Sequence, residues 1–157
     1  MKFLKKILSR ELTRGSKVSK LIVVLDTNIF ISSVFWEASP YEIIKKAINQ
    51  EIIVFISNDI IEEIKEVLAR DFPLEKQEID DIVDSFVYFT HLIKPKEKVE
   101  VVKEDPDDDR ILECSVACGA KFIVTYNKHL LKLKKFRSTK IILPGEFLRF
   151  LRTEKPN

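Results

Sequence analysis

The sequence predicts an α/β fold with a mainly parallel central sheet. Three short apolar runs, residues 21–25, 52–56 and 122–124, are rich in β-branched residues. Such runs are typical of strands that are buried on both faces of a parallel sheet. Segments with apolar residues at helical spacing separate the runs, so strands and helices alternate along the chain. Asp26 follows the first run at the strand's carboxyl end, which is where ligands bind in open α/β sheets.

The chain has the size and composition of one globular domain. Its 157 residues are 45% hydrophobic and 33% charged, which suits a single core. No apolar run approaches the roughly 20 residues that span a bilayer, so we expect a cytoplasmic protein without a transmembrane segment. Cys114 and Cys118 are expected to be reduced thiols, and two cysteines without a nearby histidine make a poor zinc site.

Charge is distributed unevenly along the chain. Residues 1–20 carry seven basic residues and one acid, and residues 121–140 carry seven basic residues and no acid. Residues 21–120 carry ten basic residues and twenty-two acids. An acidic centre with basic flanks can hold cations at its centre and phosphates at its rim, although ordinary solvated charge runs would give the same pattern.

The sequence divides into an extension, a domain and a tail. Residues 1–20 have apolar residues at helical spacing between lysines and arginines, which predicts a basic amphipathic N-terminal extension ending in a polar linker. Residues 21–152 are expected to form the domain, and residues 153–157 a frayed tail.

Local signals place the ends of the elements. Pro40 interrupts the helix that follows Asp26, Ser57 is a good N-cap, Gly119 can end a helix in the left-handed conformation, and Pro144 can start one. The predicted order is strand 21–25, helix 29–36, helix 41–49, strand 52–56, helix 58–70, helix 74–89, short strand 91–93, exposed connection 95–104, helix 105–118, strand 122–124, short helix or turn 128–133, strand 141–143 and a final helix from Pro144.

Acidic residues recur at the expected carboxyl edge of the sheet. Asp26 is the first, although alone it could simply cap the next helix. Glu63 borders the apolar stripe of its helix, whereas Glu62 is expected to face water. Asp105 suits a helix cap, and Asp108 shares a helical face with Ile111, so its carboxylate can point towards the protein.

An amide completes this set of polar positions. Thr125 and Asn127 directly follow the third buried run, and Asn127 stands where a further acid might be expected. Carboxylates that converge from separate elements suit hard divalent cations, which prefer oxygen ligands. Two such ions can activate a water and stabilise the leaving oxygen of a phosphodiester.

These segments together resemble the PIN-domain family, most closely its prokaryotic VapC-like branch of toxins from toxin–antitoxin systems. The resemblance covers residues 21 to about 151. It rests on Val24-Leu-Asp-Thr-Asn28, Ser57-Asn-Asp-Ile-Ile-Glu-Glu-Ile64, Asp105-Pro-Asp-Asp-Asp-Arg-Ile-Leu-Glu-Cys114, Ala120-Lys-Phe-Ile-Val-Thr-Tyr-Asn-Lys-His-Leu-Leu131 and Ile141-Ile-Leu-Pro-Gly-Glu-Phe-Leu148.

The resemblance implies a PIN-like α/β/α sandwich and a ribonuclease activity that depends on Mg²⁺ or Mn²⁺. The family's three acids fall on Asp26, Glu63 and Asp108, which would be catalytic and would hold the metal. Its usual fourth acid falls on Asn127, a neutral amide that can still ligate through its oxygen but removes one negative charge. Asn28 and Thr125 match supporting positions. Asp105 matches an acid common in this branch, in a supporting or capping role.

The partners follow from the same resemblance. RNA is the expected substrate, a protein antitoxin is an expected partner, and a homodimer is consistent with the family. The basic segment supplies candidate phosphate contacts, which are Lys128, Lys132, Lys134 and Lys135.

Two other readings of the sequence stay open. The domain could have lost catalysis and bind RNA or a protein, which the amide at Asn127 and the basic extension favour. Alternatively, Asp26 could be a phosphorylated nucleophile of a phosphatase or receiver domain. That reading is weaker, because Asn28 stands where a second aspartate would be expected and no lysine is clearly placed to assist.

Overall fold

The computed structural model describes residues 20–154 of the chain. The predicted N-terminal extension, apart from Lys20, and residues 155–157 of the predicted tail lie outside the described residues. The elements in chain order are β1 (Leu21–Leu25), α1 (Thr27–Phe35), α2 (Ser39–Ile48), β2 (Ile52–Ile56), α3 (Asn58–Asp71), α4 (Lys76–Phe89), β3 (His91–Leu92), a 3-10 helix (Pro106–Asp108), α5 (Asp109–Cys118), β4 (Phe122–Val124), α6 (Lys128–Leu133), β5 (Lys135–Phe136), β6 (Thr139–Ile142) and α7 (Pro144–Thr153).

The strands form one sheet in the order β3-β2-β1-β4-β6-β5. All neighbouring pairs are parallel except β5 and β6, which are antiparallel. The predicted α/β fold with a mainly parallel sheet is therefore confirmed. Val23, Val24 and Leu25 of the central strand are fully buried, as a strand covered on both faces requires.

The strand order places a crevice between β1 and β4. The chain moves outwards from β1 to β2 and β3, and then returns to add β4 on the other side of β1. Right-handed crossovers then require α5 to lie on the opposite face of the sheet from α1 to α4. Helix α5 packs on β1, β2 and β4. Open α/β sheets bind ligands at the carboxyl ends of the strands where the order reverses, which here is the end of β1 and β4.

Local sequence signals set several helix ends as expected. The Ser57 hydroxyl accepts a hydrogen bond from the Ile60 N–H at 3.3 Å and caps α3. Gly119 ends α5 in the left-handed conformation, with a φ of 66°. The expected interruption between the first two helices is present at residues 36–38, and Pro40 lies in the first turn of α2, where its missing N–H costs nothing.

The connection between β3 and the 3-10 helix was expected to be exposed, and this prediction was wrong in part. Val99 and Val102 are buried. The Val99 N–H donates to Glu113 at 3.0 Å, and the Val102 N–H donates to Asp109 at 2.9 Å. In an exposed connection, water would accept the hydrogen bonds of these backbone N–H groups. Here the carboxylates of Glu113 and Asp109 accept them, so the segment can pack against the domain.

Other boundaries differ in detail from the expectation. The predicted helix from residue 105 is divided into the 3-10 helix and α5. Strand β5 was not predicted, because two residues carry no periodic signal and the strand is defined by its pairing with β6. Thr153, expected to fray, belongs to α7, and its hydroxyl donates to the Phe150 carbonyl at 2.9 Å. Within residues 20–154, no helix has both the length and the apolar character needed to cross a bilayer.

Candidate active site

Asp26 lies at the crevice between β1 and β4 and is 4% exposed. Its N–H donates to the Val124 carbonyl at 3.0 Å, so its backbone extends the pairing of the two strands. Its Oδ1 accepts from the Thr27 N–H at 2.7 Å, and its Oδ2 accepts from the Thr125 hydroxyl at 2.5 Å. Asp26 therefore caps α1 and also holds one carboxylate oxygen at the edge of the sheet.

Two of the residues predicted to support the site lie around Asp26. The Asn28 amide donates to Asp26 Oδ2 at 3.4 Å, and its oxygen accepts from the Tyr126 N–H at 3.4 Å. Thr125 is fully buried, and its hydroxyl also accepts from the Asn127 N–H at 2.8 Å. These bonds fix the Asp26 carboxylate relative to the segment that follows β4.

Glu63 reaches the same edge from α3. Its Oε2 accepts a hydrogen bond from the Thr27 hydroxyl at 2.5 Å, and the side chain is half-buried. Glu62 is exposed and pairs with Lys65 at 3.5 Å. Helical spacing predicted that Glu63 faces the protein and Glu62 faces water, and the structure has the same arrangement. Thr27, which links Asp26 to Glu63, stood in the sequence only as part of a motif, and no local signal marks its contact with α3.

Asp108 reaches the same edge of the sheet from the 3-10 helix and is 7% exposed. Asp26, Glu63 and Asp108 together form the carboxylate cluster. Its Oδ2 accepts from the Asn127 side-chain amide at 2.9 Å. The other end of that amide caps α6, because Asn127 Oδ1 accepts from the His129 N–H at 2.8 Å and the Leu130 N–H at 3.4 Å. Asn127 was expected to offer its side-chain oxygen to a metal. Instead, the capping bonds turn that oxygen towards α6, and the side-chain N–H group faces Asp108.

The remaining acids of the 105–109 run have different surroundings. Asp105 accepts a hydrogen bond from the Asp107 N–H at 3.1 Å and caps the 3-10 helix, as expected. Asp109 points away from the cluster, and its Oδ1 accepts from the Val101 and Val102 N–H groups at 3.0 and 2.9 Å. The structural roles of Asp109 and Glu113 were missed in the sequence, because their partners lie in a segment that was expected to be exposed.

The cluster holds its protons more tightly than isolated carboxyl groups do. Burial raises the pKa of Asp26 to about 6, and the charge of Glu63 adds to this effect against the Thr125 hydrogen bond. Burial also raises the pKa of Asp108 to about 7, with contributions from the charges of Asp105 and Asp26. The pKa of Glu63 is raised for the same principal reason. Desolvation and mutual repulsion thus oppose full ionisation, and a bound cation would relieve both.

The side chains fit a hard divalent cation by their chemistry, since three carboxylates from three elements reach one edge. Their oxygens are currently engaged by hydrogen bonds from Thr27, Thr125 and Asn127. Within the described residues, no three acidic, histidine or cysteine side chains gather at the spacing of a formed metal site. Holding an ion would therefore require the carboxylates to exchange some of these hydrogen bonds for metal contacts.

The four candidate phosphate-binding lysines lie just after Asn127 in sequence. Lys128 and Lys132 are on α6, Lys134 ends that helix with a φ of 61°, and Lys135 is in β5. All four are exposed. Lys132 pairs loosely with Glu104, at 3.9 Å. The structure therefore presents these cations to solvent on the segment that leads away from the carboxylate cluster.

Comparison with known proteins identifies a family and a solved structure of similar fold. A family model described as a PIN domain matches residues 22–129. The fold is similar to that of a chain in the crystal structure of VapBC2 from Rickettsia felis bound to a DNA fragment from their promoter. That likeness has a TM-score of 0.58 at 18% sequence identity, and it covers 78% of this chain and 98% of the other. No curated protein sequence matched the chain.

Proposed function

The chain belongs to the PIN-domain family, whose members are generally nucleases that depend on divalent metals, and we propose that it is an endoribonuclease using Mg²⁺ or Mn²⁺. The observation that carries this proposal is the meeting of Asp26, Glu63 and Asp108 at the crevice between β1 and β4. Three desolvated carboxylates are costly without a counter-charge, and the raised pKa values of Asp26, about 6, and Asp108, about 7, express that cost.

The proposed reaction is hydrolysis of an RNA phosphodiester bond. A divalent ion held at the cluster would supply Lewis-acid activation of the phosphate and of a water. Asp26 and Asp108, both buried, would hold the ion from β1 and the 3-10 helix. Glu63 is half-buried and would complete the ligand set and take up the proton of the attacking water. Thr125 and Asn28 keep Asp26 oriented, and Thr27 does the same for Glu63.

The exposed lysines would bind the RNA backbone. Lys128 directly follows Asn127, and the other three lysines lie further from the cluster along α6 and β5, so a strand whose phosphate lies at the carboxylates would reach Lys128 first. Phosphate contacts of this kind give affinity without sequence preference.

We also propose a protein antitoxin as the partner. Support comes from the fold likeness to VapBC2, together with the motifs shared with the VapC-like branch. A homodimer is proposed on the family resemblance alone. Residues 21–152 would form the nuclease domain, and residues 1–20 a basic extension to it.

A second candidate function is RNA binding without cleavage. The orientation of Asn127 favours it, because its oxygen caps α6 and its amide group satisfies Asp108. A donor at this position leaves the cluster one negative charge short of a four-acid site. Cleavage and binding must therefore be measured on the same protein.

The deciding experiment compares Glu63→Gln with Glu62→Gln. Both substitutions remove one charge from adjacent positions of α3, but only Glu63 contacts the cluster. We expect the wild-type protein to cleave single-stranded RNA with Mg²⁺ or Mn²⁺, and EDTA to stop the reaction. Glu63→Gln should lower the rate by roughly a hundredfold or more, and Glu62→Gln should leave it almost unchanged. RNA binding without metal-dependent cleavage would instead establish the second candidate, and equal rates for the two variants would refute the assigned site.

A further inference from the structure

Tyr126 presents an exposed aromatic ring directly beside the carboxylate cluster. The side chain is 45% exposed, and its position in the chain distinguishes it from the other exposed rings, Trp36 and Tyr88. Its neighbours in sequence both touch the cluster, since the Thr125 hydroxyl donates to Asp26 and the Asn127 amide donates to Asp108. The Tyr126 N–H donates to the Asn28 side-chain oxygen at 3.4 Å, and the Asn28 amide donates to Asp26, so the backbone of Tyr126 belongs to the hydrogen-bond network of the cluster.

The side chains on both sides of Tyr126 turn towards the carboxylates. The Thr125 N–H donates to the Ile142 carbonyl at 3.1 Å and continues the strand pairing, and Asn127 has extended dihedral angles. Residues i and i+2 of an extended segment share one face, so the residue between them projects to the other. Tyr126 therefore lies beside the site and not inside it, which makes it a positioning residue and not a catalytic one.

The surroundings of Tyr126 suit an unpaired nucleotide. Leu143, 38% exposed, follows the neighbouring strand β6 at the same edge of the sheet and adds apolar surface there. Lys128 and Lys132, two and six residues further along, supply exposed cations. An exposed ring between a phosphate-cleaving site and basic side chains is the arrangement that single-stranded nucleic acids use, because any base can stack on an aromatic face.

We propose that Tyr126 stacks on the unpaired base next to the scissile phosphate and so positions the RNA strand at the carboxylate cluster. The inference rests on the proposed function and adds to it a residue that positions the substrate. A base inside a duplex is already stacked on its neighbours and cannot offer its face to the ring. The lysines hold the backbone, and the ring fixes where along the strand the cluster acts.

The test measures binding of a short single-stranded RNA that contains one 2-aminopurine, in Ca²⁺ to keep the cluster occupied by an oxygen-preferring ion. Tyr126→Ala should weaken binding by roughly tenfold or more, as alanine substitution at a stacking position typically does. Tyr126→Phe, which keeps the ring, should stay within about twofold. Tyr88→Ala is the matched control, because Tyr88 is 73% exposed on α4 and should have no effect.

A second readout separates stacking from charge and from misfolding. The salt dependence of binding should be the same for Tyr126→Ala and the wild type, because stacking releases no counterions. Replacing Lys132, Lys134 and Lys135 together by Gln should make the affinity less dependent on salt. The magnitude of the slope of log affinity against log salt concentration should fall by roughly 0.7 for each phosphate contact that is lost. Quenching of the 2-aminopurine should be lost only in Tyr126→Ala. Melting temperatures equal to that of the wild type would show that the variants fold.

The outcomes distinguish this inference from the proposed function. If the wild type binds and cleaves RNA but Tyr126→Ala behaves like Tyr88→Ala, the inference is overturned and the proposed function stands. An equal loss of affinity for single-stranded and duplex RNA would also overturn it. If Tyr126→Ala weakens a protein partner and leaves RNA binding intact, the ring is a protein contact and the inference fails. If the wild type neither binds nor cleaves RNA, both fall together.

Discussion

Replacing Asp26 by Asn should stabilise the metal-free protein at neutral pH while removing its response to a divalent cation. The pKa of Asp26 is about 6 in the fold against an ordinary value of 3.8. At about 1.4 kcal/mol per pKa unit, the ionised carboxylate costs the fold about 3 kcal/mol above pH 6. Asn removes the charge at nearly constant volume. It also offers one acceptor in place of two, so one of the hydrogen bonds from Thr27 or Thr125 is lost, at about 1 kcal/mol.

The net gain should therefore depend on pH in a defined direction. Because the folded pKa of Asp26 is raised, its contribution to stability is fully present below about pH 3.8 and is lost as the pH rises through about 6. Asp26→Asn should be more stable than the wild type by about 1–2 kcal/mol at pH 7.5. Near pH 4, where the wild-type carboxyl is largely protonated in the fold, the variant should be equal or less stable.

Urea denaturation with EDTA at pH 4, 6 and 7.5 measures this difference. A gain of 1–2 kcal/mol corresponds to roughly 3–6 °C in melting temperature for a chain of this size. Asp84→Asn, an exposed acid on α4, is the control and should show no such pH trend. Added Mn²⁺ should stabilise the wild type and the control but not Asp26→Asn. A stability difference that is the same at pH 4 and pH 7.5 would refute the reasoning from burial.

Two further predictions concern the acids around the site. Asn127→Asp keeps the oxygen that caps α6 but replaces the donor facing Asp108 with a carboxylate, so without metal it should lose about 1–3 kcal/mol at neutral pH. It should bind Mn²⁺ more tightly in a calorimetric titration, and an unchanged affinity would exclude position 127 from the cation site. Asp109→Ala leaves two backbone N–H groups of the 99–102 segment without their acceptor and should cost about 2–4 kcal/mol in urea denaturation. Asp107→Ala, at an exposed neighbouring position, should lower the free energy of unfolding far less. Equal losses in the two variants would show that the hydrogen bonds from Val101 and Val102 to Asp109 do not stabilise the fold.

Much of the fold is determined locally and could be predicted from the sequence. The apolar runs at 21–25, 52–56 and 122–124 became central strands, because only a two-sided burial makes such runs stable. Ser57 and Gly119 set helix ends through their own backbone neighbours. The α/β alternation and the carboxyl edge of the sheet, and with them the place of the candidate site, followed from these local signals.

Helical spacing also chose between adjacent acids. Glu63 lies on the border of the stripe that α3 buries, and Glu62 does not, so a period of 3.6 residues was sufficient to separate them. This choice needed only the position of a residue relative to apolar residues on its own helix. Asp108 also faces inwards as expected, but it does so from the 3-10 helix and not from the same helix as Ile111.

The partners of the site residues were decided by tertiary structure. The Thr27 hydroxyl meets Glu63 across 36 residues, and the Thr125 hydroxyl meets Asp26 across 99. The orientation of Asn127 depends on a competition between capping α6 and facing Asp108, which the local sequence cannot resolve. Hydrogen-bond partners depend on where distant elements bring their atoms, whereas periodicity records only which side of an element is apolar. The sequence therefore located the acids, and the packing of the sheet and helices determined what each of them touches.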